Sequence, residues 1–593
     1  MRPFLLAVAA IALAACDNTQ KNADTYLRSY EKEYQRLRYT ASIADWASNT
    51  HIVEGDSTNA VRTKAANNAL LNFVGSTANI DTIKQFLGTR DKLLPIQVRQ
   101  LEKMLYNAAD GPQMIAPVVA KRVAAEADQT EKLYGFQFKI ANKPVTPNDI
   151  DKILRESTDL AARRRAWEAS KEVGTVLKPG ILALRDLRNE TVQALGYPDY
   201  FTYQISDYGM KPVEMLALTD TLIAQLRPLY RELHTWARYE LAKKYHQPVP
   251  DLIPADWLSN RWAQDWSSMV TVEGINVDSA LKKQTSEWVV QSAEGFYISL
   301  GFDSLPKSFW EKSSLYPVAP NSPFKKNTHA SAWHMDLDKD VRSLQSVEPN
   351  AWWYETAHHE LGHIYYYMAY TSPEVPMLLR EGANRAYHEA IGSMIGFAAG
   401  QPAFLQNRGL APKGAKVDAM KQMLGEALNY VVFIPFSAGT MTRFEHALYT
   451  EKLPAGQFNA KWWELVAKYQ GVAPPSTRDE TFADGLTKTH INDDPAQYYD
   501  YALSYALLFQ MHDHIARQIL KQDPHNTDYF GSKATGDFLR TLMAPGASRD
   551  WRDVLKETTG HSLDAAAMVE YFKPLYDWLV EQNKGRKATL PAA

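Results

Sequence analysis

The chain has 593 residues, 45% of them apolar and 22% charged, with a formal net charge of −3. That length supports a large folded body, and the near-neutral balance with no dense Lys/Arg block excludes electrostatic binding of nucleic acid. A single cysteine excludes intrachain disulfides.

The chain opens MRPFLLAVAAIALAAC. Arg2 supplies a positive end, and Phe4 to Ala15 is apolar but too short to span a bilayer, the form of an export signal over residues 1–15. Leu13-Ala14-Ala15-Cys16 is similar to the bacterial lipoprotein box, in which the signal is removed before the cysteine and the cysteine carries lipid. The polar run DNTQKNADT follows, so 16–25 reads as a lipid-attachment cysteine and tether. The expectation is a bacterial envelope lipoprotein facing the periplasm, held to the membrane through lipid alone. With Cys16 lipidated no thiol remains for a nucleophile or a metal site. An ordinary secretory signal or a buried N-terminal helix is the alternative.

From Tyr26 onward most segments carry apolar residues at helical spacing, as in DLAARRRAWEASKEVG and LALTDTLIAQLRPLYRELHTWARYELAKKY. Gly and Pro fall between such segments, and strict two-residue alternation is rare. Two stretches read as short and extended, 327–337 (NTHASAWHMDL) and 481–491 (TFADGLTKTHI). The fold class expected is mainly α with a few short strands: one domain over 26–582, then a disordered tail at 583–593.

The segment ETAHHELGHIYYYMAY, Glu355 to Tyr370, places His359 and His363 four residues apart. On a helix these share a face and can both offer a ring nitrogen to one ion. Zinc accepts such ligands, and Glu360 between them is placed to take a proton from an activated water. A third His six residues on, the pattern of one zinc-peptidase class, is excluded because Ala369 stands there. Glu374, Glu381 and Glu389 are the carboxylates that follow. The first two sit in turn-like contexts, whereas Glu389 opens the apolar helical run EAIGSMIGFAA, which favours it.

HHELGH followed by REGANRAYHEAIG resembles the peptidyl-dipeptidase A family, which includes angiotensin-converting enzyme. NRWAQDW at 260–266, THASAW at 328–333, FIPF at 433–436, KYQG at 468–471, Lys488 to Ile491 and YFKPLYDWL at 571–579 fit the same family in order. The resemblance implies two helical lobes around a deep central cleft. It implies one Zn²⁺ held by His359, His363 and Glu389, with Glu360 as general base and then proton donor to the leaving amine. Tyr501 matches the family's oxyanion tyrosine, and His490 a histidine that assists it. Lys488, Tyr498 and Gln284 match the groups that bind the substrate's free C-terminal carboxylate. His329 and Ala330 match a strand that pairs with peptide backbone. The implied activity is release of C-terminal dipeptides from oligopeptides. A zinc carboxypeptidase releasing single residues, a metallo-oligopeptidase with internal cuts and a non-catalytic peptide-binding envelope protein are the alternatives.

The chain departs from the family pattern in four ways. No cysteine remains for disulfides, and the stretch between the zinc ligands is two residues longer. Ser393 stands where the family has an aspartate that orients a zinc histidine; Glu355, one turn before His359, is a candidate substitute. Val466 and Asp500 stand where two arginines hold an activating chloride, so chloride activation is not expected.

Overall fold

The computed structural model describes residues 2–271, 277–415 and 417–591, with side chains from residue 18 onward. The side chains of Cys16 and of the expected signal therefore lie outside what is described. The chain is mainly α, and the strands among the described residues form two-stranded sheets. No helix among the residues searched is long and apolar enough to cross a membrane. Two compact units divide the chain, each assembled from three separate segments.

The first unit comprises Met1–Val119, Val277–Leu410 and Asn526–Ser562. Within it runs the helix Ala351–Tyr370. Asn350 starts this helix with extended backbone, its side chain accepting from Trp353 N at 2.9 Å, which satisfies one of the free amides of the first turn. Ala357, Leu361, Ile364 and Tyr365 follow helical spacing and are fully buried. They face the helices Ser286–Ser299 and Arg385–Ala399. Beside them lies an antiparallel pair, Ser331–His334 with Val341–Leu344, in the register Ser331↔Leu344. Only these four residues of the stretch 327–337 form the first strand. Trp333 of that strand meets Trp46 edge-on at 5.4 Å.

The second unit comprises Ala120–Asn276, Ala411–His525 and Leu563–Ala593. Its longest helix is Pro212–Tyr245, entered through Lys211, whose amide donates to Glu214, and closed by His246 in the left-handed conformation. Tyr230, Leu233, Ala237 and Leu241 form its buried stripe. The helix Ala419–Ile434 runs into a π-helical stretch, Pro435–Met441, before Thr442–Tyr449. Such wide turns release backbone groups and gather at functional sites. Here the turn carries Ser437, whose hydroxyl donates to Tyr498 O at 2.6 Å and accepts from Ala502 N at 3.1 Å. It thereby fixes the start of the helix Tyr499–Asp513.

Two expectations are corrected in this unit. The stretch 481–491 is not extended: a 3-10 turn, Asp484–Thr487, leads into the short helix Thr489–Asp493. The reason is Asp484, a buried carboxylate bonded by Arg478 at 2.5 and 2.9 Å and by Trp463 Nε1 at 2.9 Å, while Thr487 donates back to its carbonyl at 2.7 Å. The tail is not disordered over its described residues. Arg227, Arg231 and Arg238 of the long helix donate to the carbonyls of Pro591, Leu590 and Lys587, and Leu590 is buried.

Candidate active site

His359 and His363 leave one face of Ala351–Tyr370, with their Nε2 atoms 3.1 Å apart. Glu389 of Arg385–Ala399 brings Oε2 to 3.9 Å from His359 Nε2. The three donor atoms lie within 4.8 Å of one another. Glycine makes this approach possible. A Cβ on Gly362 would stand 2.9 Å from Gly392 Cα, and one on Gly392 would stand 3.0 Å from the His359 ring. Without side chains at these two positions the helices cross closely enough for a carboxylate of one to reach the imidazoles of the other. Glu381, considered alongside Glu389 from the sequence, instead pairs with Lys103 at 2.5 Å, and Glu374 is exposed.

Burial, with the nearby His363, lowers His359 to about 4, and burial lowers His363 to about 4. Both rings are therefore neutral at neutral pH, the form that binds a metal. Burial and the charge of Glu389 raise Glu360 to about 8. Glu360 Oε2 is buried with no hydrogen-bond partner among the described residues, a costly arrangement unless a ligand completes it. Two neutral imidazoles and a carboxylate, with an orphaned carboxylate oxygen beside them, fit a three-ligand zinc site that keeps a position open.

The second nitrogen of a ligand ring also needs a partner. His363 Nδ1 lies 3.2 Å from His388 Nδ1. With His363 ligating through Nε2, its Nδ1–H donates to His388, which fixes the tautomer of both rings. Sequence reasoning missed His388, although it stands one residue before Glu389. Glu355 lies against the same helix crossing, its Cγ 3.3 Å from where a Cβ on Gly396 would stand. Ser393 is half-buried on the Arg385–Ala399 helix. His329 and Ala330 fall just before the strand Ser331–His334; His329 is exposed and its Nδ1 lies 2.8 Å from Ala330 O.

In the second unit a different set converges. Lys488 Nζ donates to Gln264 Oε1 at 2.8 Å, and Tyr498 Oη donates to the same oxygen at 3.4 Å. Lys488 is buried, 4.6 Å from the Trp262 ring centre, and burial with the charge of Arg261 lowers it to about 7. His490 Nε2 lies 3.2 Å from Tyr501 Oη. Phe433 of the FIPF segment stacks on Tyr498 and meets Tyr501 edge-on, holding both phenols.

The amide beside Lys488 and Tyr498 is thus Gln264, not Gln284 as the sequence reading had it. Gln284 belongs to the first unit, at the end of the short helix Asp278–Leu281. The signal for Gln264 was its place in NRWAQDW.

Residues 17–590 match the family model described as angiotensin-converting enzyme, Peptidase_M2. The chain is 30% identical over 587 residues to angiotensin-converting enzyme of Mesocricetus auratus, covering 95% of this chain and 43% of that protein. It is 29% identical over 595 residues to angiotensin-converting enzyme of Theromyzon tessulatum, covering 96% and 93%. It is 31% identical over 453 residues to an angiotensin-converting enzyme-related protein of Drosophila melanogaster, covering 72% and 70%. The chain thus spans less than half the length of the mammalian relative and most of the length of the leech one.

Proposed function

The chain belongs to the angiotensin-converting enzyme family of metallopeptidases, and on that premise we propose that it is a zinc-dependent peptidyl-dipeptidase that releases C-terminal dipeptides from oligopeptides. The observation that carries the peptidase reading is the convergence of His359, His363 and Glu389 beside the buried Glu360. Zinc, when held by these three, supplies Lewis-acid activation of water and of the scissile carbonyl. Glu360 takes up the proton of the attacking water and delivers it to the leaving amine; burial and Glu389 raise its pKa to about 8, which favours the protonated form. The resemblance implies that Tyr501, positioned through His490 and Phe433, would donate to the oxygen that gains charge.

Dipeptide release follows from a grip on the substrate's end. An ammonium, a phenol and an amide from Lys488, Tyr498 and Gln264 can all donate to a carboxylate, with Gln264 turned so that its NH₂ faces the ligand. The Lys488 and Tyr498 roles are those implied by the resemblance; Gln264 replaces Gln284 because it shares their contacts. Ser331–His334 offers a strand edge for substrate backbone.

The test is to express residues 17–593, add zinc, and identify by mass spectrometry the products from a blocked tripeptide, a longer peptide and its C-terminal amide. Dipeptides released only from free C-termini are the expected result. Single residues would favour the carboxypeptidase alternative. No product with zinc bound would favour a peptide-binding protein that has kept the fold. Lipid attachment at Cys16 remains part of the proposal: a Cys16→Ser variant expressed in bacteria should move from the membrane to the soluble fraction, and unchanged membrane association would refute it.

A further inference from the structure

The segment KYQG at 468–471 holds no group of the reaction, yet it lies directly behind the loop that carries Gln264. Gln470 ends the helix Phe458–Gln470 and is fully buried. Its side-chain NH₂ donates to Trp262 O at 3.1 Å and to Ala263 O at 3.0 Å, the two carbonyls that precede Gln264. Its Oε1 accepts from Thr440 Oγ1 at 3.0 Å, which fixes the orientation of the amide. Trp266 Nε1 adds a second bond to Ala263 O at 3.1 Å. Ala263 has a φ of 56°, in the left-handed region that a residue with a Cβ adopts only where its surroundings hold it. The turn that presents Gln264 to Lys488 and Tyr498 is therefore strained, and one buried amide meets both of its carbonyls.

Gln470 is itself held from behind. Its carbonyl accepts from Tyr230 Oη at 2.7 Å. Gly471 follows in the left-handed conformation; its carbonyl accepts from Ile253 N at 3.0 Å and lies 2.8 Å from His234 Nε2. Burial lowers His234 to about 3, so the ring is neutral and its one N–H donates there. A Cβ on Gly471 would stand 2.5 Å from His234 Nε2 and 2.9 Å from Leu590 Cδ2. Leu590, near the end of the chain, therefore packs directly on this turn. The tail is clasped in that place: Arg231 Nε donates to Leu590 O at 3.0 Å, Arg238 Nη1 to Lys587 O at 2.9 Å, and Thr589 Oγ1 to Asp251 O at 2.6 Å.

We propose that Gln470 is the positioning residue for Gln264 in the carboxylate grip, and that Leu590 of the C-terminal tail braces it. The inference rests on the peptidase reading with Gln264 in the grip, and extends that grip to two groups that do not touch substrate. Without the Gln470 amide the Trp262 carbonyl loses its donor, and the turn relaxes from the left-handed form, drawing the Gln264 side chain away from Lys488 and Tyr498. Loss of the Leu590 side chain opens space beside Gly471 and lets the same turn shift by less. Both changes weaken the hold on the substrate's end. They leave bond cleavage alone, because Glu360 and the metal set belong to the first unit.

The experiment measures kcat and KM separately for one hexapeptide with a free C-terminus, using the zinc-loaded chain. Gln470→Met keeps the size of the side chain and removes its donors. It should raise KM about tenfold with kcat within twofold, and Leu590→Ala should raise KM about threefold. Each is then combined with Gln264→Ala. On that background neither should raise KM further, because both act through Gln264. Leu590→Ala leaves the hydrogen bonds of Gln470 in place, so it carries the test if Gln470→Met does not fold. Native KM in Gln470→Met, or a rise that multiplies with that of Gln264→Ala, would overturn the positioning role while leaving the grip intact. Native KM in Leu590→Ala would overturn the brace. Native KM in Gln264→Ala would overturn the grip assignment and this inference with it, and no cleavage by the native chain would overturn the peptidase reading itself.

Discussion

The metal set of the first unit and the polar set of the second are built in different ways. His359 and His363 come from one helix at i and i+4, and Glu389 from a second helix that crosses it at two glycines. Regular geometry does most of the positioning there. Gln264, Lys488 and Tyr498 come from three irregular places: a loop, the residue before a five-residue helix, and the residue before the helix Tyr499–Asp513. They are held by side chains from elsewhere in the unit, Ser437 and Phe433 among them. A set built on helices declares itself by spacing. A set built on loops declares itself only once the chain has folded.

The contrast predicts where single changes act. Glu360→Gln keeps size and hydrogen bonding but cannot carry the proton, so turnover should fall on the order of a thousandfold. Zinc content by atomic absorption should stay at one per chain. Turnover within tenfold of native would remove Glu360 from the chemistry.

The next effect is on the metal itself. If His388 sets the tautomer of His363, then His388→Phe should weaken zinc about 10- to 100-fold in competition with a chelator, and His388→Asn should recover part of that loss. A change in zinc affinity shared equally by both variants would mark His388 as packing alone. Far-ultraviolet circular dichroism checks that each variant folds, since the ring lies in a buried aromatic cluster with Tyr366 and Tyr367.

In the second unit the comparison turns on two glutamines. Gln264→Ala should raise KM for free peptides about tenfold, the cost of losing a hydrogen bond to a charged group, with kcat changed far less. Gln284→Ala should leave KM within twofold. The reverse pattern would restore the sequence assignment and remove Gln264 from the carboxylate grip.

These outcomes also measure how far the sequence could be read. The helical class, the two histidines and Glu389 were legible because their spacing alone makes the geometry. Ala369 excluded one alternative, and the apolar run after Glu389 favoured a buried helix. Gln264 is not legible by spacing because an amide has no periodic signature; its place depends on what Lys488 and Tyr498 meet, more than 200 residues on. The stretch 481–491 was misread for a similar reason. Asp484 bends it by capturing Arg478 and Trp463, which no local pattern announces. The tail GRKATLPAA has a disordered composition, yet arginines about 350 residues earlier bind its carbonyls. His388 was hidden by being ordinary, a histidine in an apolar helix.

The carboxylate set should respond to pH. Burial and Arg261 oppose a charge on Lys488, with Asp493 favouring it, and Lys488 sits at about 7. Its ammonium is present below that value and lost as pH rises through it. KM should therefore be flat below about 7 and rise several-fold by one unit above. Lys488→Arg, which stays charged, should flatten the rise. An unchanged pH profile in that variant would place the titration elsewhere.

The smallest effect expected is that of chloride. Asp500 lies in the first turn of Tyr499–Asp513, between the two phenols Tyr498 and Tyr501. It is buried, and its Oδ1 accepts from Tyr208 Oη at 2.5 Å. A carboxylate in the first turn of a helix is favoured by the helix dipole, and here it accepts from a phenol. A chloride arriving there would face a fixed negative charge, and buried Val466 offers no cation in compensation. Adding sodium chloride in place of a sodium salt of another anion should therefore change kcat/KM less than about twofold. Asp500→Asn removes the charge while keeping an acceptor for Tyr208. If Asp500 is the built-in anion, this variant should lose activity, because the turn that carries Tyr498 and Tyr501 is then less firmly held. If the variant is as active as the native chain, or if chloride raises native turnover several-fold, the carboxylate is not filling the anion's place.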